Sequence, residues 1–190
     1  PIEYRLGGVK QMQVNRKAGL GFPTALRSIL RADPDIVMIG EMRDVETAKI
    51  ACEAALTGHL VITSLHTNDA ASTPIRLLDM GIEPFMVTSA LNCIVAQRLA
   101  RRLCERCKEP HNPSSDEALD GLLPDWVYEG AGHSFFKSAG CNACSNTGFR
   151  GRLALHEVME LTDEIDHLIV NNAIAREVEN LAIEQGMGTM

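Results

Sequence analysis

Two short apolar runs, Ile36-Val37-Met38-Ile39 and Leu60-Val61-Ile62-Thr63-Ser64-Leu65, constrain the fold of this chain more than any other feature. Each is too short for a helix, rich in branched side chains and flanked by turn residues, the pattern of a strand buried in a parallel sheet. Between them Asp44 can cap a helix from Val45 to Leu56 that Gly58 ends. Upstream, Phe22, Ala25, Leu26, Ile29 and Leu30 fall on one face of a helix running to Arg31, and Asp33-Pro34-Asp35 stops it. Gln11 to Val14 alternates and reads as a short strand. Downstream, Asn68 or Asp69 caps a helix ending near Met80-Gly81, and a further helix is predicted from Glu83-Pro84 to about Gln97. The order strand, helix, strand, helix indicates an α/β domain with a parallel sheet. Both apolar runs end in polar residues, Gly40-Glu41 and His66-Thr67, and open parallel sheets gather their chemistry at the carboxyl ends of strands.

The charge is unevenly spread. Residues 1–103 carry 12 basic and 10 acidic side chains, a net of +2, and residues 104–190 carry 6 and 15, a net of −9. The change at Cys104 suggests a domain boundary. An acidic C-terminal half argues against duplex nucleic acid as a partner, because phosphate binding needs net positive surface. No apolar run approaches the length of a membrane span. The first residues show no basic and apolar secretory leader, so the cytoplasm is the simplest expectation. From Cys104 to Cys144 regular periodicity fades. From Leu153 onward the pattern is helical again, including Glu164 to Asn171 and Ile174 to Glu184.

Four of the six cysteines form two pairs, Cys104-Glu105-Arg106-Cys107 and Cys141-Asn142-Ala143-Cys144. Two intervening residues let both sulfurs of a pair face one ion from a tight turn. Two such knuckles complete a tetrahedral shell of thiolates, which suits structural zinc and leaves no open position for chemistry. Disulfides, an iron–sulfur cluster and a site that holds no ion are the alternatives. The segment has neither the basic patch nor the aromatic platform that a nucleic-acid-binding zinc module needs. Cys52 and Cys93 sit among apolar neighbours on predicted helices and read as buried free thiols.

Asp33 to Glu41 (DPDIVMIGE) resembles a Walker B element: the strand buries itself and delivers a carboxylate to the sheet edge, where it can polarise water or hold Mg²⁺ through water. With the following Met42-Arg43-Asp44 and with Thr57 to Thr67 (TGHLVITSLHT), the run resembles the type II secretion and type IV pilus assembly ATPases. The resemblance extends through Asp79 to Phe85 (DMGIEPF), Gln97-Arg98-Leu99, both cysteine knuckles and Gly148 to Arg152 (GFRGR), and Pro1 to Arg5 (PIEYR) is similar to the tail of that family's Asp box. It implies a partial RecA-like P-loop NTPase core with a parallel sheet over residues 1–103, a tetracysteine zinc-binding insertion over 104–147 and a C-terminal helical segment over 148–190. It also implies that Glu41 is the Walker B glutamate, with Gly40 replacing the usual aspartate, and that His66 lies near the γ-phosphate of ATP. His59 belongs to the same His box, although it can serve only as a cap. Arg27 and Arg31, spaced i, i+4 on one helix face, match arginines that the family directs toward phosphates of a neighbouring site. Glu3 and Arg5 are further candidates. Arg43-Asp44 reads as a local pair.

The sequence departs from the family at one place. It contains no Gly-rich loop ending in Gly-Lys-Ser/Thr, the element that holds the phosphates. The chain is therefore expected to be a fragment that neither binds ATP well nor turns it over alone. The resemblance implies that the intact parent is a homo-hexameric motor, hydrolysing ATP with magnesium, cytoplasmic and peripheral to the inner membrane, where it meets the platform proteins of a secretion or pilus machine. The four cysteines favour the assembly or secretion branch over the retraction branch, which lacks them. The alternative is a non-catalytic, zinc-stabilised module that docks to a membrane platform.

Overall fold

The structure is a computed structural model, and it describes residues 2–111 and 134–190. The chain divides into two compact units: Pro1–Gln97 with His156–Met190, and Arg98–Leu155.

In the first unit, helix α1 (Phe22–Leu30) precedes strand β1 (Ile36–Ile39), helix α2 (Val45–Leu56) and strand β2 (Leu60–Thr63), as the hydrophobic spacing predicts. β1 and β2 pair in parallel, with Ile36 opposite Leu60 and Ile39 opposite Thr63. The Asp44 carboxylate caps α2, accepting from the Thr47 N–H at 2.8 Å and the Thr47 hydroxyl at 2.9 Å. Helices α3 (Ser72–Asp79) and α4 (Pro84–Ala90) follow. Helices α5 (Asp163–Val170) and α6 (Ala175–Glu184) lie on this unit too and bury Ile165, Ile169, Val178 and Ala182 in its core beside Val37, Ile39, Leu77 and Val87.

Three expectations of secondary structure fail. Gln11 to Val14 is not a strand. Glutamine side chains replace a ladder there, Gln13 Oε1 accepting from the Ile2 N–H at 2.8 Å and Gln11 Oε1 from the Leu6 N–H at 3.0 Å. The helix expected to run to Gln97 stops at Ala90, and strand β3 (Cys93–Leu103) takes the place of its last two turns. The helical reading from Leu153 fails at its start, where strand β6 (Phe149–Glu160) precedes α5. β3 and β6 pair in one two-stranded sheet. Leu, Ala, Glu and Met favour helix locally, but a long-range ladder outweighs that preference. Cys93 is consequently exposed on a strand, whereas Cys52 is buried on α2 as expected, and burial with the neighbouring Glu53 charge pushes its thiol pKa up.

The β1–β2 pair also differs from expectation in being covered on one face only. Val37 and Ile39 point into the core, while Ile36, Met38, Leu60 and Ile62 are between 47% and 77% exposed. No described residue covers that second face.

In the second unit, strands β4 (Glu109–His111) and β5 (Phe135–Lys137) pair antiparallel, Glu109 opposite Lys137. A 3-10 turn at Asn142–Cys144 carries the second cysteine pair. Gly148 is required here: its φ is +73° and a Cβ would fall 2.5 Å from Ser138 Cβ.

Adjacent residues on the two faces of β1 should respond differently to truncation. Ile39→Ala is expected to cost about 2–5 kcal/mol, and Met38→Ala to change stability by no more than about 0.5 kcal/mol. Urea unfolding of the two variants checks this; equal losses would mean that the open face is covered in solution.

Candidate functional site

The chain leaves β1 at Ile39 and β2 at Thr63, and the two exits stay joined beyond the ladder. The Met42 N–H donates to the Ser64 carbonyl at 3.0 Å, and the Ser64 hydroxyl to the Gly40 carbonyl at 2.8 Å. This lacing sets Glu41 and His66 side by side, with His66 Nε2 at 3.6 Å from Glu41 Oε2. Arg43 Nε donates to the same oxygen at 2.6 Å. The Glu41 side chain is 14% exposed and that of His66 83%. Burial works against ionisation of Glu41, but the hydrogen bonds and charges of Arg43 and then of His66 outweigh it and hold the carboxyl below its usual range. Both of these contacts are made to Oε2, and an ionised carboxylate has further lone pairs on Oε1 that can accept from a water or meet a hydrated cation. A cleft of about 190 Å³ beside it is lined by Met42, Arg43, Leu65, His66, Arg76 and Met80. A carboxylate flanked by cationic and imidazole groups at adjacent strand ends can take a proton from water while neighbouring groups meet negative charge.

The second candidate lies in the other unit. The sulfurs of Cys104, Cys107, Cys141 and Cys144 all fall within 4.8 Å of one another. The separations are 4.0 Å for Cys104–Cys141, 3.8 Å for Cys107–Cys144 and 3.8 Å for Cys141–Cys144. Four thiolates around an ion at a metal–sulfur distance of about 2.3 Å stand about 3.8 Å apart, so the cage fits a tetrahedral ion. Backbone N–H groups point at the sulfurs: Gly140 to Cys107 at 3.3 Å, Cys141 to Cys144 at 3.2 Å and Gly148 to Cys144 at 3.3 Å. Burial opposes the Cys144 thiolate, but the N–H groups of Cys141 and Gly148 outweigh it and pull its pKa down; burial pushes the Cys107 thiol up.

A family model described as "Type II/IV secretion system protein" matches residues 1–190. The chain belongs to this family. Among curated members, it is 50% identical to the "Type IV pilus assembly ATPase PilB" of Myxococcus xanthus, covering 100% of this chain and 33% of that protein. It is 44% identical to the "Type II secretion system protein HxcR" of Pseudomonas aeruginosa, covering 100% of this chain and 36% of that one. The chain thus spans about a third of the length of these relatives. Among solved structures it is similar to the pilus retraction motor PilT with bound ADP, at 26% identity and a TM-score of 0.51, covering 90% of this chain and 41% of that chain.

In this secretion-family chain, only Glu41 and His66 of the residues singled out at the strand ends come together. His59 sits at the opposite end of β2, where its Nδ1 lies 3.0 Å from the Ala54 carbonyl and closes the end of α2. Arg27 pairs with Glu46 at 2.8 Å, and Arg31 is exposed just past α1 with no ion pair among the described residues. Glu3 and Arg5 are exposed on the segment held by the two glutamines. Arg43 does not pair with Asp44; it takes Glu41, and Asp44 caps α2. Sequence reasoning missed Arg76, an exposed cation on α3 that lines the same cleft, and Glu157, an acid at an inward position of β6 beside Met159.

Because the folded pKa of Glu41 lies below its unfolded value, its ionisation favours the folded state above the ordinary carboxylate range, and that contribution is lost as pH falls through the lowered folded pKa. Arg43→Ala should therefore move the Glu41 midpoint upward. A carbon-detected NMR titration of the Glu41 carboxyl reads this directly, and an unmoved midpoint would show that Arg43 does not govern it.

Proposed function

We propose that this chain is the part of a hexameric ATPase motor that carries the catalytic glutamate, in a machine for type II protein secretion or type IV pilus assembly. The observation that carries the reading is the placement of Glu41 at the carboxyl end of β1 with His66 at 3.6 Å on the end of the neighbouring strand. The family membership and the ATPase names of its relatives support it. In the intact parent, Glu41 accepts a proton from water as that water attacks the γ-phosphorus of ATP and the bond to the β–γ bridging oxygen breaks. His66 contacts the γ-phosphate. Magnesium, when bound, neutralises charge on the phosphate oxygens. Arg27 and Arg31 approach phosphates of a neighbouring subunit's site, Arg27 after exchanging Glu46 for phosphate, with Glu3, Arg5 and His59 as lesser candidates.

The missing Gly-Lys-Ser/Thr loop and the uncovered face of β1–β2 support the further reading that the 190 residues are one portion of a larger nucleotide-binding domain, inactive by themselves. Among the described residues no helix is long and apolar enough to cross a membrane, and a cytoplasmic motor held at the inner membrane by platform proteins fits that observation.

Glu41→Gln in the intact parent keeps the side-chain shape and removes the base. Steady-state ATP hydrolysis is expected to fall by roughly 100-fold or more, with nucleotide binding retained; unchanged turnover would return Glu41 to the status of a strand-end acid.

The four-cysteine cage holds structural zinc in this reading, through Cys104, Cys107, Cys141 and Cys144. The ion ties the turn after β3 to the turn before β6 and does no chemistry at the phosphates. Elemental analysis should find one zinc per chain, and Cys144→Ser or strong chelation should release it and make residues 98–155 sensitive to protease, as expected where metal binding drives local folding. A metal-free protein with a protease-resistant second unit would refute the assignment.

A further inference from the structure

Glu157 is the one buried charged side chain among the described residues, 5% exposed at an inward position of β6. Its Oε2 accepts from the Ala70 N–H at 3.0 Å and its Oε1 from the Met190 N–H at 3.1 Å. No cation pairs with it among the described residues. A buried carboxylate is costly unless its charge is met. An apolar residue would continue the inward row with Met159 without that cost, so simple packing does not account for an acid here.

The Ala70 amide shows what the carboxylate does. Ala70 lies four residues after His66, on the segment that leaves β2 and enters α3. Local bonds are made within this segment: the Ser72 N–H donates to Asp69 Oδ1 at 2.7 Å, and the Thr67 and Thr73 hydroxyls meet at 2.9 Å. These bonds join the turn to α3, and Ser64, two residues before His66, joins its start to the end of β1. Glu157 supplies a bond from outside, and through 87 residues of sequence separation it fixes the turn against strand β6. His66 has an exposed side chain with little packing to hold it, so its approach to Glu41 depends on where the turn places its backbone.

We propose that Glu157 is a positioning residue for the Glu41–His66 site, acting through the Ala70 amide to hold the His66 turn in register with the end of β1. The proposal rests on the phosphoryl-transfer reading given above.

The test is a double-mutant cycle on ATP hydrolysis by the intact parent, using Glu157→Gln, His66→Ala and the pair, with Glu41→Gln as reference. The Gln amide turns a donor toward one of the two N–H groups. Misplacing a catalytic contact in this way is expected to lower kcat roughly 10- to 100-fold, with KM for ATP little changed. In the His66→Ala background the same substitution should alter kcat by less than about 2-fold, because its effect passes through His66. An equal loss in both backgrounds, or no loss in either, overturns the proposal. If Glu41→Gln also leaves turnover intact, the reading of the whole site fails; if Glu41→Gln abolishes turnover and Glu157→Gln is silent, only the positioning role fails. Should Glu157→Gln unfold the parent, Glu157→Asp gives the same contrast, since it keeps the charge but withdraws the carboxylate by one methylene. In the 190-residue chain, the Ala70 amide should exchange faster in either variant and the His66 ring resonances should shift; unshifted ring resonances overturn the proposal without recourse to activity.

Discussion

The parallel pairing of Ile36–Ile39 with Leu60–Thr63 is the contact on which the candidate site depends. A parallel ladder sends both chains out of the sheet at the same edge, so residues just past the two strands meet although 25 positions separate Glu41 from His66. Register does the rest. A slip of one residue would turn Val37 and Ile39 from the core to the open face and carry Glu41 away from the Ser64 anchor. The buried methyl and sulfur groups of the first unit, from Leu26 on α1 to Ile169 on α5, thus act on the chemistry by fixing one register.

Most of that frame was legible because it is local. The branched residues of β1, the Asp44 cap and the Gly58 stop each sit within a few residues of the structure they specify, and α2 falls on its predicted bounds. The four cysteines were legible for another reason: Cys-x-x-Cys carries its geometry in its spacing, and only closure of the two halves depended on the fold. The misreadings share a cause as well. Residues 93–97 and 153–160 have helix-compatible composition, and they become parts of β3 and β6 only because the two strands are there to pair with each other. Glu157 was missed on the same account, since nothing near it in sequence indicates that its carboxylate reaches Ala70. The expected pairing of Arg43 with Asp44 failed because two local claims competed for Asp44, and the Thr47 N–H and hydroxyl at the start of α2 took both of its oxygens.

The open face of the β1–β2 pair gives physical content to the reading that this is one portion of a larger domain. Four large apolar side chains are exposed side by side on two adjacent parallel strands, whereas parallel sheets are generally covered on both faces. Scattered exposed leucines need no explanation, but a contiguous apolar patch on a sheet does. The sequence pattern of β1 is that of a strand buried on both sides, so the pattern and the exposure among the described residues disagree, and the proposed larger domain would reconcile them. In the proposed reading that larger domain also supplies the phosphate-holding loop that these residues lack, which joins the question of stability to that of activity.

Electrostatics at the strand ends sets a condition on any such assembly. Arg43 holds Glu41 Oε2 at 2.6 Å and keeps the carboxyl ionised, yet an ion pair this close also lowers the basicity on which proton abstraction relies. A base held by a guanidinium is a resting base. Phosphate oxygens placed in the cleft beside Arg43, His66 and Arg76 would compete with Glu41 for those same groups, since a guanidinium binds phosphate as readily as carboxylate. Drawing Arg43 toward phosphate would free Glu41 and raise its basicity in one step. Under the proposed function, the carboxylate would then reach full strength only when its substrate is in place.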